Sequence, residues 1–232
     1  MLIHLVFPVG LFAVGVSGHG FVREVRLGEV SYEGYHPYVD PYTIPTPQRI
    51  IRKVPWIGPV EDLSLIDVQC NGQTSENYFT EPAPLVGTVV AGDTVSFNWI
   101  SYAASDSHHG PMVTYMAKVP PGQDVRKWNP GSDAVWFKIE HSGKDAQRRW
   151  AATHNLLQPT GSGDYTVRIP PKLQPGQYLI RHEWIALHLA HAYPGAQVYP
   201  ICVQVEVTGN GTAFPTSFVS FPGEYHAKTP GV

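Results

Sequence analysis

Apolar positions in this chain recur with the period of a strand, and long helical periodicity is scarce. Segments 88–99, 112–119, 134–139, 165–169, 177–187 and 197–207 alternate or are rich in β-branched and aromatic residues. Turn clusters separate them: Ala91-Gly92-Asp93, Pro120-Pro121-Gly122, Pro159-Thr160-Gly161-Ser162-Gly163 and Gln174-Pro175-Gly176. Many strands at such spacing, with no helices between, predict an all-β antiparallel sandwich with long loops. Residues 34–65 are rich in Pro and Tyr and read as one long ordered loop with room for a helical turn. A loop of that length in a compact domain is usually functional. No repeat, linker or second domain is expected.

The one long apolar run lies at the start. Residues 5–16 have the length of a signal-peptide core, and Val16-Ser17-Gly18 is small enough for a signal peptidase. The n-region has His4 but no Lys or Arg. A buried element at the start of a domain is the other reading, but Pro8, Gly10 and Gly15 make a poor helix. Residues 1–18 are therefore expected to be removed, leaving residues 19–232 as a single secreted domain.

Composition sharpens this picture in three ways. Charged residues are only 15% of the 232, while Gly and Pro number 22 each, which suits a stiff, loop-rich β-protein. The net charge of −3 gives no electrostatic reason to expect nucleic acid or an anionic membrane as partner. Cys70 and Cys202 can pair in an oxidising compartment, two buried thiols being the alternative. Asn210-Gly211-Thr212 is a possible glycosylation acceptor.

Cleavage after Gly18 would make His19 the N-terminal residue. An N-terminal histidine offers a metal two nitrogens, its α-amine and its imidazole, and the uncut chain cannot. Ser107-His108-His109-Gly110-Pro111 places histidines in a tight turn before a strand. Arg181-His182-Glu183-Trp184-Ile185-Ala186-Leu187-His188 has its histidines six apart on a strand, not four apart as a zincin helix requires. Period two puts His182, Trp184, Ala186 and His188 on one face. In Gln197–Cys202 the same alternation sets Gln197 and Tyr199 on one face and Cys202 on the other. Each motif alone reads equally as a packed or polar element.

Taken in order, mature His-Gly-Phe-Val, Ser-His-His-Gly-Pro, Arg-His-Glu-x-Ile-Ala-Leu-His and Gly-Ala-Gln-x-Tyr-Pro-x-Cys resemble the fungal lytic polysaccharide monooxygenases of auxiliary activity family 9, formerly glycoside hydrolase family 61. The similarity covers essentially all of residues 19–232. It implies an immunoglobulin-like or fibronectin type III-like sandwich and one copper ion. His19 would bind it through amine and side chain, His108 as the third nitrogen, and Tyr199 axially. His188 and Gln197 would position the activated oxygen species, and Cys70 and Cys202 would form a disulfide. Tyr42 and Tyr225 match surface tyrosines that stack on sugar rings. The 100–107 loop lacks the Trp-Pro often found before the histidine pair.

The implied activity is oxidative cleavage, at C1 or C4, of glycosidic bonds in cellulose, related β-1,4-glucans or hemicellulose. It needs an external electron donor and molecular oxygen or hydrogen peroxide, and a monomer suffices. Copper suits such a site because it takes nitrogen ligands in tetragonal geometry and leads the divalent affinity series. The residues suggest an open face free of carboxylates, with no catalytic carboxylate pair of the hydrolase kind. A non-catalytic secreted copper-binding protein with the same histidine brace is the alternative reading.

Overall fold

The computed structural model describes residues 19–102, 107–156 and 162–229. The expected leader, 1–18, lies outside them, as do parts of the 100–107 loop and of the 159–163 turn. Nine strands form two sheets: β1 (Gly20–Leu27), β2 (Val30–Glu33), β3 (Gly87–Val90), β4 (Thr94–Ser101), β5 (Met112–Lys118), β6 (Trp136–Ser142), β7 (Ser162–Arg168), β8 (Gly176–Ala186) and β9 (Gln197–Thr208). One sheet has the order β2-β1-β4-β7 and the other β3-β9-β8-β5-β6. This is the expected sandwich with one departure, since β3 pairs with β9 in parallel.

Three strand readings change. The alternating run 88–99 is two strands in different sheets, because Gly92 at φ +99° turns the chain between them. β1 and β2 went unread: a bulge between Val22 and Glu24 interrupts the alternation of β1, and three of β2's four residues are exposed. Two short helices, α1 (Asp67–Cys70) and α2 (Ala151–Asn155), are also too brief to leave a periodic pattern.

The sandwich interior holds Val25, Phe97, Trp99, Met116, Ile180, Trp184, Tyr199 and Val203, among others. Outward-facing residues of the five-stranded sheet build a second apolar cluster with Val60, Leu63, Val68, Trp128, Trp136 and Phe221. The long loop is therefore packed, and Ile51 and Val60 bridge to Val203 and Val198 of β9. Cys70 and Cys202 pair within this second cluster, joining α1 to β9 across 132 residues.

Arg181 and Glu183 sit fully buried there as a two-pronged ion pair, at 2.5 and 2.6 Å. The Arg181 guanidinium lies 3.7 Å over the Phe221 ring and donates to the carbonyls of Val68 and Gln69. Tyr225 also donates its hydroxyl to Glu183. The Arg181–Glu183 pair is thus satisfied from within, as a buried charge requires.

Candidate metal centre

The β5–β8 ladder sets the first two histidines. It pairs Met112 with Trp184, and the amides of Ile185 and Leu187 extend the pairing to the carbonyls of Pro111 and His109, at 3.1 and 2.8 Å. Residues 107–111 are thereby laid against 184–188. The approach is possible only because residue 110 is glycine, since a Cβ there would stand 1.7 Å from the Ile185 carbonyl oxygen. His108 takes a left-handed φ of +46° and becomes buried. Its ring centre lies 4.0 Å from that of His188, which follows the end of β8. Trp184 fixes the turn by donating Nε1–H to the His108 carbonyl at 3.0 Å.

His19 arrives from the opposite sheet. Its carbonyl accepts from the Tyr102 amide at 2.7 Å, Gly20 donates to Ile57 at 2.9 Å, and its ring meets Trp56 edge-on at 5.5 Å. His19 stands near enough to act on the charge of His108. Burial first, then the positive charges of His188, His19 and His109, lowers the His108 pKa to about 4. At neutral pH its imidazole is therefore uncharged, the state in which imidazole binds metals. His108 Nδ1 is 2.8 Å from the Ser107 hydroxyl, so Nε2 is the nitrogen a metal would take.

Alternation along β9 holds as read. Tyr199 faces the sandwich interior and Cys202 the second cluster. Tyr199 is buried and stacked on Trp184, ring centres 4.8 Å apart. Burial, and after it the charge of Glu61, keeps its hydroxyl protonated well above the ordinary phenol range. Gln197 opposes Ala186 at the head of β9 and donates its side-chain amide to Glu61 at 2.8 Å.

Glu61 corrects the expectation of a carboxylate-free face. It sits there because Val60 exchanges two backbone hydrogen bonds with Val198, at 2.7 and 3.1 Å. His188 is pulled down by burial and held up by the same Glu61. Nothing around residue 61 in the sequence signals this. Only the bridge between a loop and β9, distant in the chain, brings the carboxylate to Gln197.

The two sugar-stacking tyrosines part company. Tyr42 is 80% exposed, on a 3-10 turn (Asp40–Tyr42) held by buried Asp40, whose carboxylate takes the Arg49 guanidinium at 2.8 and 3.1 Å. Tyr225 is not a surface ring. It is 8% exposed, packed on Phe221, with its hydroxyl given to Glu183. Its aromatic bulk completes the second cluster, where the Arg181–Glu183 pair needs a donor. Tyr102, whose amide donates to the His19 carbonyl, is also exposed, as is Tyr193 in the loop after His188.

Among the described residues no three His, Cys, Asp or Glu side chains converge as a metal site would need. A metal between His19 and His108 needs a donor of another kind, and the α-amine freed by cleavage before His19 is one. Two imidazoles, an amine and a buried phenol make a nitrogen-rich set that fits copper and does not fit magnesium or calcium.

Comparison with known proteins gives the family. The profile of Auxiliary Activity family 9 (formerly GH61) matches residues 19–232. AA9 family lytic polysaccharide monooxygenase B of Gloeophyllum trabeum is 49% identical over 229 residues, spanning 97% of this chain and 88% of the relative. Monooxygenase A of the same fungus is also 49% identical, over 97% of this chain and 69% of its own length. Among solved structures, the extended catalytic domain of H. jecorina LPMO9A superposes with a TM-score of 0.79 at 31% identity, covering 92% of this chain and 83% of that one. A cellulose-active polysaccharide monooxygenase from M. thermophila gives 0.76 at 30% identity, over 91% and 89%. The motif order and the sandwich agree with a match that begins at His19, and the chain belongs to Auxiliary Activity family 9.

Proposed function

We propose that this chain is a secreted, copper-dependent lytic polysaccharide monooxygenase acting on cellulose or a related β-1,4-glucan or hemicellulose. Removal of residues 1–18 is part of the proposal, because the brace needs the His19 amine. The observation that carries it is that buried, neutral His108 lies ring to ring with His188 at 4.0 Å and near enough to His19, at the start of β1, to feel its charge, while Tyr199 of the neighbouring strand stacks on Trp184.

Bound copper would supply one-electron chemistry toward oxygen or hydrogen peroxide, with electrons from an external donor, and so oxidation at C1 or C4 of the sugar. The chain's own residues do the rest. His19, through its freed amine and its ring, and His108, whose imidazole is already neutral at neutral pH, would hold the metal. Tyr199, pinned by Trp184 and kept as a phenol, would stand beside the metal without bringing a charge. His188 and Gln197 would offer hydrogen bonds to the reacting oxygen, the preorganised kind of stabilisation that needs no rearrangement. Glu61 fixes the Gln197 amide by accepting from it. Tyr42, Tyr102 and Tyr193 offer rings to a polysaccharide surface.

The test is incubation of the secreted protein with cellulose, copper and a reductant. Oxidised oligosaccharides are expected, together with a mass spectrum that begins at His19. Neutral hydrolytic sugars alone, or no soluble product across a panel of β-glucans and hemicelluloses, would refute the assignment.

A further inference from the structure

At the end of β8 away from His188 lies an apolar groove of about 470 Å³ that the proposed reaction does not use. Phe137, Pro170, Pro171, Leu173, Phe214 and Pro215 line it, with exposed Lys138 and Lys172 at its rim. Phe214 is 41% exposed.

The chain carries a candidate occupant next to the groove. Gly209, at φ +127°, turns the chain out of β9, and Asn210 follows it, exposed. Gly211 presses on the backbone of Lys172 and Leu173, where a Cβ would stand 2.3–2.4 Å from their atoms. Ala213 then bridges Leu173, donates to the Lys172 carbonyl at 2.8 Å and accepts from Gln174 at 3.0 Å. The acceptor of Asn210-Gly211-Thr212 thus stands one residue from the groove wall, and Ala213, Phe214 and Pro215 run from it into the lining.

We infer that Asn210 carries an N-linked glycan whose first sugars lie in this groove, over Phe214 and the prolines. This rests on passage of the chain through the secretory route. The Asn210 amide nitrogen bonds to the anomeric carbon of a polyprenyl-diphosphate-linked oligosaccharide. The C1–O bond to the diphosphate breaks, and the amide proton is lost as the lipid diphosphate departs with its electron pair. The apolar face of a hexosamine ring covers Phe214, which removes apolar surface from water. Lys172 presents an ammonium donor to its hydroxyls. Since β8 is 11 residues long, the sugar stands roughly 30 Å from the histidines, clear of the polysaccharide face.

The experiment uses the full chain secreted from a eukaryotic host. Intact mass is expected to show one glycan, lost in both Asn210→Gln and Thr212→Ala. The glycoprotein is expected to melt about 2–4 °C above both variants, the effect of a modest contact in a domain of this size. Trimming with an endoglycosidase that leaves one N-acetylglucosamine should keep most of that gain. In Phe214→Ser the difference between glycosylated and unglycosylated protein should vanish. A chain cut before His19 but bare at Asn210 would overturn the inference and leave the copper assignment standing. So would an equal Tm with and without the glycan, or a dimer in sedimentation that Phe214→Ser dissolves.

Discussion

His182 predicts a sharp acid weakness that can be tested without any metal. It is fully buried, stacked on Phe97 at 4.0 Å and on Tyr165 at 5.2 Å, with Nδ1 2.9 Å from the Thr114 hydroxyl. Burial first, then the neighbouring Arg181 charge, lowers its pKa from 6.5 to about 3. Above pH 6.5 folded and unfolded chains both hold the neutral ring. As pH falls from there toward 3, only the unfolded chain takes up the proton, so stability is lost. Between pH 7 and 4.5 the loss through this residue comes to about 2.5 kcal/mol. It changes little if the folded pKa is nearer 4, because 4.5 lies above either value. In a domain of this size that is roughly 5–10 °C of Tm. The assay is thermal melting of copper-free protein from pH 7 to 4.5, wild type against His182→Asn and His182→Phe. His108, also lowered by burial, titrates in all three proteins and cancels. The variants start less stable but should lose about 5–10 °C less over that range. Equal losses in all three would refute the reasoning.

Four further outcomes follow from the same structure. An added glycine before His19 should weaken copper binding by roughly 10²–10⁴-fold in calorimetry, the gain that linking donors in one chelate gives. Gly110→Ala, with its Cβ 1.7 Å from the Ile185 carbonyl, should loosen the His108 turn, lowering copper affinity along with Tm. Glu61→Ala should slow release of oxidised sugars about 5–10-fold, the worth of one solvent-exposed hydrogen bond of about 1–1.4 kcal/mol. Its Tm should stay put, since Glu61 is exposed. Opening the 132-residue Cys70–Cys202 loop with paired serines should cost about 5 kcal/mol in the chain-entropy account, read in denaturant melts.

The strands legible in the sequence have at least one continuously buried face: β3, β4 and β7 alternate buried and more open positions, and β5, β8 and β9 are covered on both sides. In β8 and β9 the alternation assigned Trp184 and Tyr199 to the sandwich and Cys202 to the outer cluster, because a buried face fixes register. The missed elements lack that constraint. A bulge shifts β1 by one residue, β2 is open to solvent, and the short helices owe their shape to the disulfide and to neighbouring carbonyls.

The candidate site divides along the same physical line. His108, His188, Gln197 and Tyr199 sit beside or within three neighbouring strands, so local motifs carry them together. Glu61 and Tyr225 depend on where loops land. Glu61 reaches Gln197 only through the Val60–Val198 bridge, and Tyr225 is drawn under Arg181 because Glu183 accepts its hydroxyl. A tyrosine in a terminal loop looks the same in sequence whether it faces a sugar or a buried carboxylate. The difference is the charge waiting for it: an ion pair buried beneath Phe221 draws in a further donor, whereas the Asp40–Arg49 clamp is already satisfied and leaves Tyr42 outside. Glu183→Gln should therefore weaken the hold on Tyr225 and lower Tm, while Tyr42→Ala should lower polysaccharide binding with Tm unchanged. Melting curves and cellulose pull-down on the same two variants separate these outcomes, and a Tyr42→Ala protein that binds cellulose as wild type does would remove Tyr42 from the substrate face.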